Sequence, residues 1–485
     1  MRLRILVPLF ALLAAACGGG DEGGTSTTDK ATEVTEAAAG DGLAIPPAAG
    51  ARLRNQLGFE FPPGPEVPTG ETSEQLAADI ESLLANIRID LDLGTVESIA
   101  ASGDARAAWF LSDLLRFLGP GSARTAALNG FEELTGVALV DDPVAARSPW
   151  QSMTDHLIAW DLPALPGYQG WKGQLFTLVE PRWEEFFADE DAAIDWRLLS
   201  WGGVLLDDRP LGDRQLCPRG CIPALDDPAV TDAAGGAWYP DERVVFGVTV
   251  NGESRAYPKN IMEIHEMIND TLGGRRLGIP YCTLCGSAQA YFTDSVPNGI
   301  DVPVLRTSGL LTRSNKVMFD LNTFSVFDTF TGQALSGPLQ DARVVLDQTS
   351  VVTSTWGEWQ QAHPDTTIVA EDGGIDRTYA LDPLGGRDDD GPIFPIGDVD
   401  ERLAVQEQVL GVVAANGTAI AFPVAGTRAE LDAGRPVQLL GVNVVADAAG
   451  LRAELADGAD AVGHQAFWFA WSQFHPETLV WAPPE

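Results

Sequence analysis

The chain is poor in basic residues. It has 31 Lys and Arg against 69 Asp and Glu, a formal net charge of −38. No stretch gathers the basic residues into a patch, which argues against nucleic acid and against an anionic bilayer bound through a basic surface. Long apolar runs are also scarce. The run from Ile5 to Leu13 falls short of the roughly 20 residues that span a bilayer, and no later segment is longer. Common catalytic signatures are missing: there is no P-loop, no Gly-rich dinucleotide fingerprint and no Gly-x-Ser-x-Gly elbow. "HEMIND" (265–270) lacks the second histidine of a zincin helix. "GGRDDDG" (385–391) sets its carboxylates consecutively, not alternately as a calcium loop requires, and reads as a solvated acidic loop.

What is present begins at the N-terminus. In "MRLRILVPLFALLAAAC", Arg2 and Arg4 make a positive start, an apolar stretch follows, and Ala14–Ala16 make a small-residue cleavage site. The run resembles a bacterial lipoprotein signal. That resemblance implies cleavage before Cys17, lipidation of Cys17, and an extracytoplasmic protein anchored to a bacterial membrane by that lipid. A plain secretory signal followed by a chance cysteine is the alternative. Gly18 after the cysteine favours the outer membrane where a cell has two. Residues 17–50, rich in Gly, Thr, Ala and acid, read as a flexible tether.

The rest reads as an α+β protein, with a helical N-terminal region followed by a β-rich module that carries an internal, partly degenerate duplication. The expected divisions are a signal peptide over 1–16, the tether over 17–50, a helical region over 51–210, a main module over 211–400 and a shorter second module over 401–485. Leu76, Ile80, Leu83, Leu84 and Ile87 recur at helical spacing. Ser102 is placed to cap a helix running to Leu118, and Ser122 to cap another after the Gly119-Pro120-Gly121 turn. This pair resembles a HEAT-type helical pair. Trp150, Trp160, Trp171, Trp183, Trp196 and Trp201 read as packing anchors. In the β-rich part "GVTVNGESRAYP" (247–258) is echoed by "GVVAANGTAIAFP" (411–423), and "TWGEWQQAHPDTTIV" (355–369) by "FWFAWSQFHPETLVW" (467–481). Thr355 and Glu358 suggest a capping box, and His363 and His475 fall at equivalent helix ends before proline.

Five cysteines are present, and lipidation of Cys17 would leave four. Cys217 and Cys221 can close a local disulfide in an oxidising compartment. Cys282 and Cys285 lie in "GIPYCTLCGSAQAYF" (278–292), a Cys-x-x-Cys-Gly run with no counterpart in the second module. Ile261, His265, Ile268 and Leu272 share one sector if the helix of "PKNIMEIHEMINDTL" runs through them, and His265 would then face the following strand and its thiols. Three readings follow. Cys282, Cys285 and His265 can form a site for zinc or copper(I) or a small ligand. The cysteine pair can be a redox dithiol, making the protein a thiol–disulfide oxidoreductase. Or the cysteines are structural, in a non-catalytic interaction scaffold. Arg255, Tyr257, Ser308, Asn315 and Asp328 are weaker pocket candidates.

Several runs carry a family resemblance: "IPALDDP", "VNGESRAYPKNIMEIHEMINDTLGG", "YCTLCGSAQAYF", "SGLLTRSNKVMFDLNTFSVFDTFTGQALSGPL", "TWGEWQQAHPDT" and "FWFAWSQFHPET". From Cys221 onward the chain resembles a bacterial and archaeal family known as domain of unknown function 3179. The resemblance implies that these segments form one domain and brings no assigned activity. The family pattern has proline after the first cysteine, where this chain has Thr283. Cys217 and Cys221 stand outside that pattern and look like a local addition.

Overall fold

The computed structural model of the protein describes residues 42–47, 54–88, 91–140, 145–214, 217–386 and 391–484. The leader, Cys17, most of the tether and residues 387–390 of the acidic loop lie outside them. No helix among the described residues is long and apolar enough to cross a membrane.

The N-terminal region is helical because its apolar residues recur at three- and four-residue spacing and its helix starts are capped. Ser73 accepts the Leu76 amide at 3.2 Å at the start of Glu74–Asn86, which buries Leu76, Ile80, Leu83 and Leu84. Asp92 caps Leu93–Ala100 in the same way. The helix expected from Ser102 instead begins as a 3-10 turn capped by Asp104, whose amide the Ser102 hydroxyl accepts, and continues as Ala108–Phe117. Ser122 starts Ser122–Thr135 without capping it, because Gly121 takes the cap position. The helices Pro149–Ala159, Tyr168–Phe176 and Glu184–Phe187 complete the region. Its core extends into the β-rich part through Leu310, Val317, Phe319 and Val326. The strand Leu199–Trp201 joins the edge of Leu305–Thr312, and the Trp183 indole N–H donates to the Ser308 carbonyl at 2.9 Å.

The β-rich part builds one frame twice. In the first copy the hairpin Val244–Val250/Glu253–Pro258 turns at Asn251-Gly252, both at positive φ, as a two-residue turn between twisted strands requires. Helix Lys259–His265 follows, then the antiparallel pair Met267–Leu272/Arg275–Cys282. Strand Val352–Thr355 returns antiparallel to Val244–Val250, helix Trp356–Ala362 crosses, and Thr367–Val369 lies parallel to Glu253–Pro258. The second copy repeats each step. Hairpin Gln408–Val413/Ala419–Pro423 leads to helix Val424–Asp432 and the pair Val442–Asp447/Gly450–Leu455. Then come Gly463–Phe467, helix Trp468–Phe474 and the parallel strand Leu479–Ala482. Even the outer edges correspond: Val230–Asp232 and Leu43–Ile45 each add an antiparallel strand to the last one.

The same packing device holds both copies. Gly247 lies under the Trp359 ring and Gly411 under the Trp471 ring, where an added Cβ would come within 2.3 and 2.1 Å of indole atoms. The buried indole N–H groups donate to Thr366 Oγ1 at 3.0 Å and to Thr478 Oγ1 at 2.9 Å. His363 and His475 end the two short helices with their rings against the same tryptophans. The expected Thr355–Glu358 capping box does not form. The first helical amides, on Trp356 and Gly357, donate instead to the Arg243 and Asp241 carbonyls.

Candidate functional site

The copies differ most between the second strand of the pair and the returning strand. In the second copy residues 456–462 suffice; in the first, residues 283–351 intervene, directly after Cys282 and with Cys285 near their start. Strand Arg275–Cys282 is buried from Leu277 onward and delivers Cys282 into a tight turn. The Cys285 amide closes on the Cys282 carbonyl at 3.2 Å, and Gly286 supplies the left-handed residue at φ +58°. A side chain at Gly286 would also meet Phe467, whose amide donates to the Cys285 carbonyl at 2.8 Å. The second copy thus forms one wall of the thiol turn.

Facing the turn is the hairpin Leu305–Thr312/Asn315–Asp320, reversed at Arg313 and Ser314, both at positive φ. Its Ser314 carbonyl oxygen lies 3.8 Å from Cys282 Sγ and 3.6 Å from Cys285 Sγ. Neither cysteine is in a disulfide, and their exposures are 2% and 0%. Two residues on, Lys316 is buried. Its Nζ donates to the Glu266 carbonyl and lies 3.6 Å from Glu266 Oε2. Burial pushes the Lys316 pKa down, while the neighbouring Glu266 and Cys282 hold it up. Glu266, Cys282, Thr283, Leu284, Lys316 and Phe394 contribute to the walls of a cavity of about 100 Å³. Of the two thiols Cys282 lines this cavity, with the Lys316 cation and the Glu266 carboxylate, and Cys285 follows on the same turn; two thiols so placed can hold a thiophilic ion.

His265 is not part of this arrangement. The expected helix through Leu272 stops at His265, because Glu266 takes a left-handed conformation (φ +50°) and the chain continues as the strand Met267–Leu272. Ile268 and Leu272 still share a face, now by strand alternation. The imidazole turns into a second cavity, of about 170 Å³. Its Nδ1 is 2.6 Å from the Pro223 carbonyl, which can only accept, so Nδ1 carries the hydrogen and Nε2 accepts from the Tyr379 hydroxyl at 2.6 Å. Burial pulls the His265 pKa down to about 4, so the ring is neutral at pH 7. Among the described residues, the only group of three metal-ligating side chains with all donor atoms within 4.8 Å is Asp207 with Cys217 and Cys221. Those two cysteines form a disulfide, with Cα atoms 5.2 Å apart. Asp207 meanwhile accepts from Arg209 at 2.7 and 2.9 Å and from the Ala224 amide at 2.8 Å, so its oxygens are committed.

The weaker pocket candidates scatter. Arg255 and Tyr257 both donate to Asp270 Oδ2, at 2.6 and 2.9 Å, and tie the first hairpin to Met267–Leu272. Ser308 donates to the Val317 carbonyl across its own hairpin. Asp328 accepts the Phe330 and Thr331 amides in a turn, and burial raises its pKa. Asn315 alone directly follows the Ser314 carbonyl that faces the thiols, and its buried Oδ1 has no hydrogen-bond partner among the described residues. Sequence reasoning missed Lys316 and Glu266. Lys316 lies inside "SNKVMF", where no spacing marks a site, and Glu266 follows the end of the helix that carries His265.

Residues 219–450 match the model of the family described as "Protein of unknown function (DUF3179)", a match that ends inside the second copy. No curated protein and no solved structure matches the chain.

Proposed function

We propose that the chain, which carries a domain of this family of unknown function, uses Cys282 and Cys285 to bind a thiophilic transition-metal ion, copper(I) before zinc. One observation carries the reading: two buried thiols outside a disulfide approach the same carbonyl, beside a buried lysine. With both His265 nitrogens hydrogen-bonded elsewhere, the site offers two soft donors, a set that suits low-coordinate copper(I) better than tetrahedral zinc. A monovalent ion between two thiolates carries a net negative charge, costly to bury unless compensated. Lys316 brings a positive charge beside the thiolates, shared with Glu266, which holds the lysine in place. Binding at an extracytoplasmic, lipid-anchored protein fits the leader and Cys17, and in an oxidising compartment a bound metal would protect the thiols from closing.

A dithiol exchanging with disulfides is the second reading, favoured by the Cys-x-x-Cys spacing of two cysteines that form no disulfide. The burial of both sulfurs weighs against it, since a protein disulfide has no route to either one in this conformation. The test is anaerobic loading of the reduced protein with copper(I), followed by metal analysis and X-ray absorption. One equivalent with sulfur-dominated coordination, lost in Cys282→Ser and in Cys285→Ser, is the expected result. Unchanged loading in both variants would sink the metal reading. A bridge that cycles with glutathione in metal-free protein would transfer support to the exchange reading.

A further inference from the structure

We propose that the cavity beside His265 is a second ligand site, for a small organic monocarboxylate. It is independent of the thiol site. His265 and Glu266 are consecutive, yet each lines a different cavity, so the two sites share only the chain reversal between them.

The argument rests on which charges at this cavity are already satisfied. Asp226 accepts both terminal nitrogens of Arg306, at 2.8 and 2.7 Å, and Asp227 pairs with Arg276. Arg209 is bound to Asp207. Arg377 is different. Its guanidinium lies 5.5 Å from the Tyr379 ring centroid, and its Nη1 is buried without a hydrogen-bond acceptor among the described residues. A buried, unsatisfied guanidinium N–H is costly, and a ligand oxygen removes the cost. Arg377 is also close enough to disfavour protonation of His265, which keeps that wall neutral.

The other walls select the ligand. A planar guanidinium fork matches a carboxylate. Arg209, Arg214 and Arg377 line the cavity beside Asp213, Asp226 and Asp227, so the lining carries no net positive charge to hold a dianion such as phosphate. Leu225 and Ile375 offer apolar surface to a short carbon chain. A volume of about 170 Å³ lies below the range typical of drug-sized ligands and confines the occupant to a few carbons.

The full chain would be titrated with butyrate and, separately, with inorganic phosphate, following heat and the His265 imidazole resonances. Saturable butyrate binding that moves the His265 signals is expected, with phosphate weaker. Arg377→Gln should weaken butyrate by about tenfold or more, and Arg377→Lys, which keeps the charge but loses the fork, by less. Cys282→Ser should bind butyrate as the parent does, which separates this proposal from the metal site. Absence of saturable butyrate binding, or equal affinity in Arg377→Gln and Arg377→Lys to the parent, would overturn the site. Tighter binding of phosphate than of butyrate would overturn the assigned ligand class.

Discussion

The two copies of the β-rich frame share their strand order, the glycine under each tryptophan, the indole-to-threonine hydrogen bond and the histidine at each helix end. They differ in residues 283–351, which carry the thiol turn and its facing hairpin in the first copy only. The contrast separates what the frame needs from what one copy has added. Side chains present twice hold the fold, and those present once are where function is to be sought.

The largest test of that division lies in the shared device. Alanine at Gly247 or Gly411 would place Cβ about 2 Å from an indole that cannot withdraw from its buried slot. Each substitution should cost about 3 kcal/mol by urea denaturation, and the two should cost alike. A cost at one site alone would break the equivalence of the copies. Next comes the indole partner. Thr366→Val and Thr478→Val each leave a buried N–H unsatisfied, for an expected loss of about 1–3 kcal/mol.

A pH titration sharpens the comparison, because the copies house their histidines differently. In the second, burial lowers His464 to about 3 and His475 to about 4. In the first, His363 Nε2 lies 2.8 Å from Asp447. For His464 and His475 the unfolded chain takes up the proton first. Their contribution is therefore complete above the ordinary pKa of 6.5 and is lost as pH falls toward about 4 for His475 and about 3 for His464. Asp155 acts in the opposite sense. It accepts the Ile396 and Gly397 amides, both at 2.8 Å, and burial raises its pKa to about 7. Its folded form binds the proton first, so its contribution grows as pH falls from about 7 to the ordinary 3.8. Each group can change the slope by at most about 1.4 kcal/mol per pH unit. Urea unfolding at pH 7 and pH 5 should find His475→Asn less acid-sensitive than the parent and Asp155→Asn more so. A common slope in all three proteins would refute both assignments.

The frame was legible because its markers are local and occur twice. The Asn-Gly turns, the tryptophan pairs and His-Pro each dictate a turn or a helix end from their own chemistry. The site was less legible. The helical phase of Ile261, His265, Ile268 and Leu272 is compatible with one long helix, but the chain reverses at Glu266, and Ile268 and Leu272 also fit one strand face. That single left-handed residue sends His265 to one cavity and Glu266 to the other. Lys316 and Arg377 reach their cavities through tertiary contacts that no local spacing encodes. The capping of Trp356–Ala362 by the Arg243 and Asp241 carbonyls was hidden for the same reason.

The smallest expected change in stability is the one that sharpens the division most. Cys285 has no equivalent in the second copy, and serine, slightly smaller, is its nearest isostere and keeps a donor on the side of the Ser314 carbonyl. Cys285→Ser should therefore cost only about 1 kcal/mol, well below either glycine substitution, yet abolish copper(I) loading. If it unfolds the protein as Gly247→Ala does, the thiols belong to the frame after all, and the second copy must have replaced them by other packing. If it leaves both stability and loading untouched, the added turn serves something other than metal. Full loss of metal on an intact frame is the outcome that places function in the unshared residues.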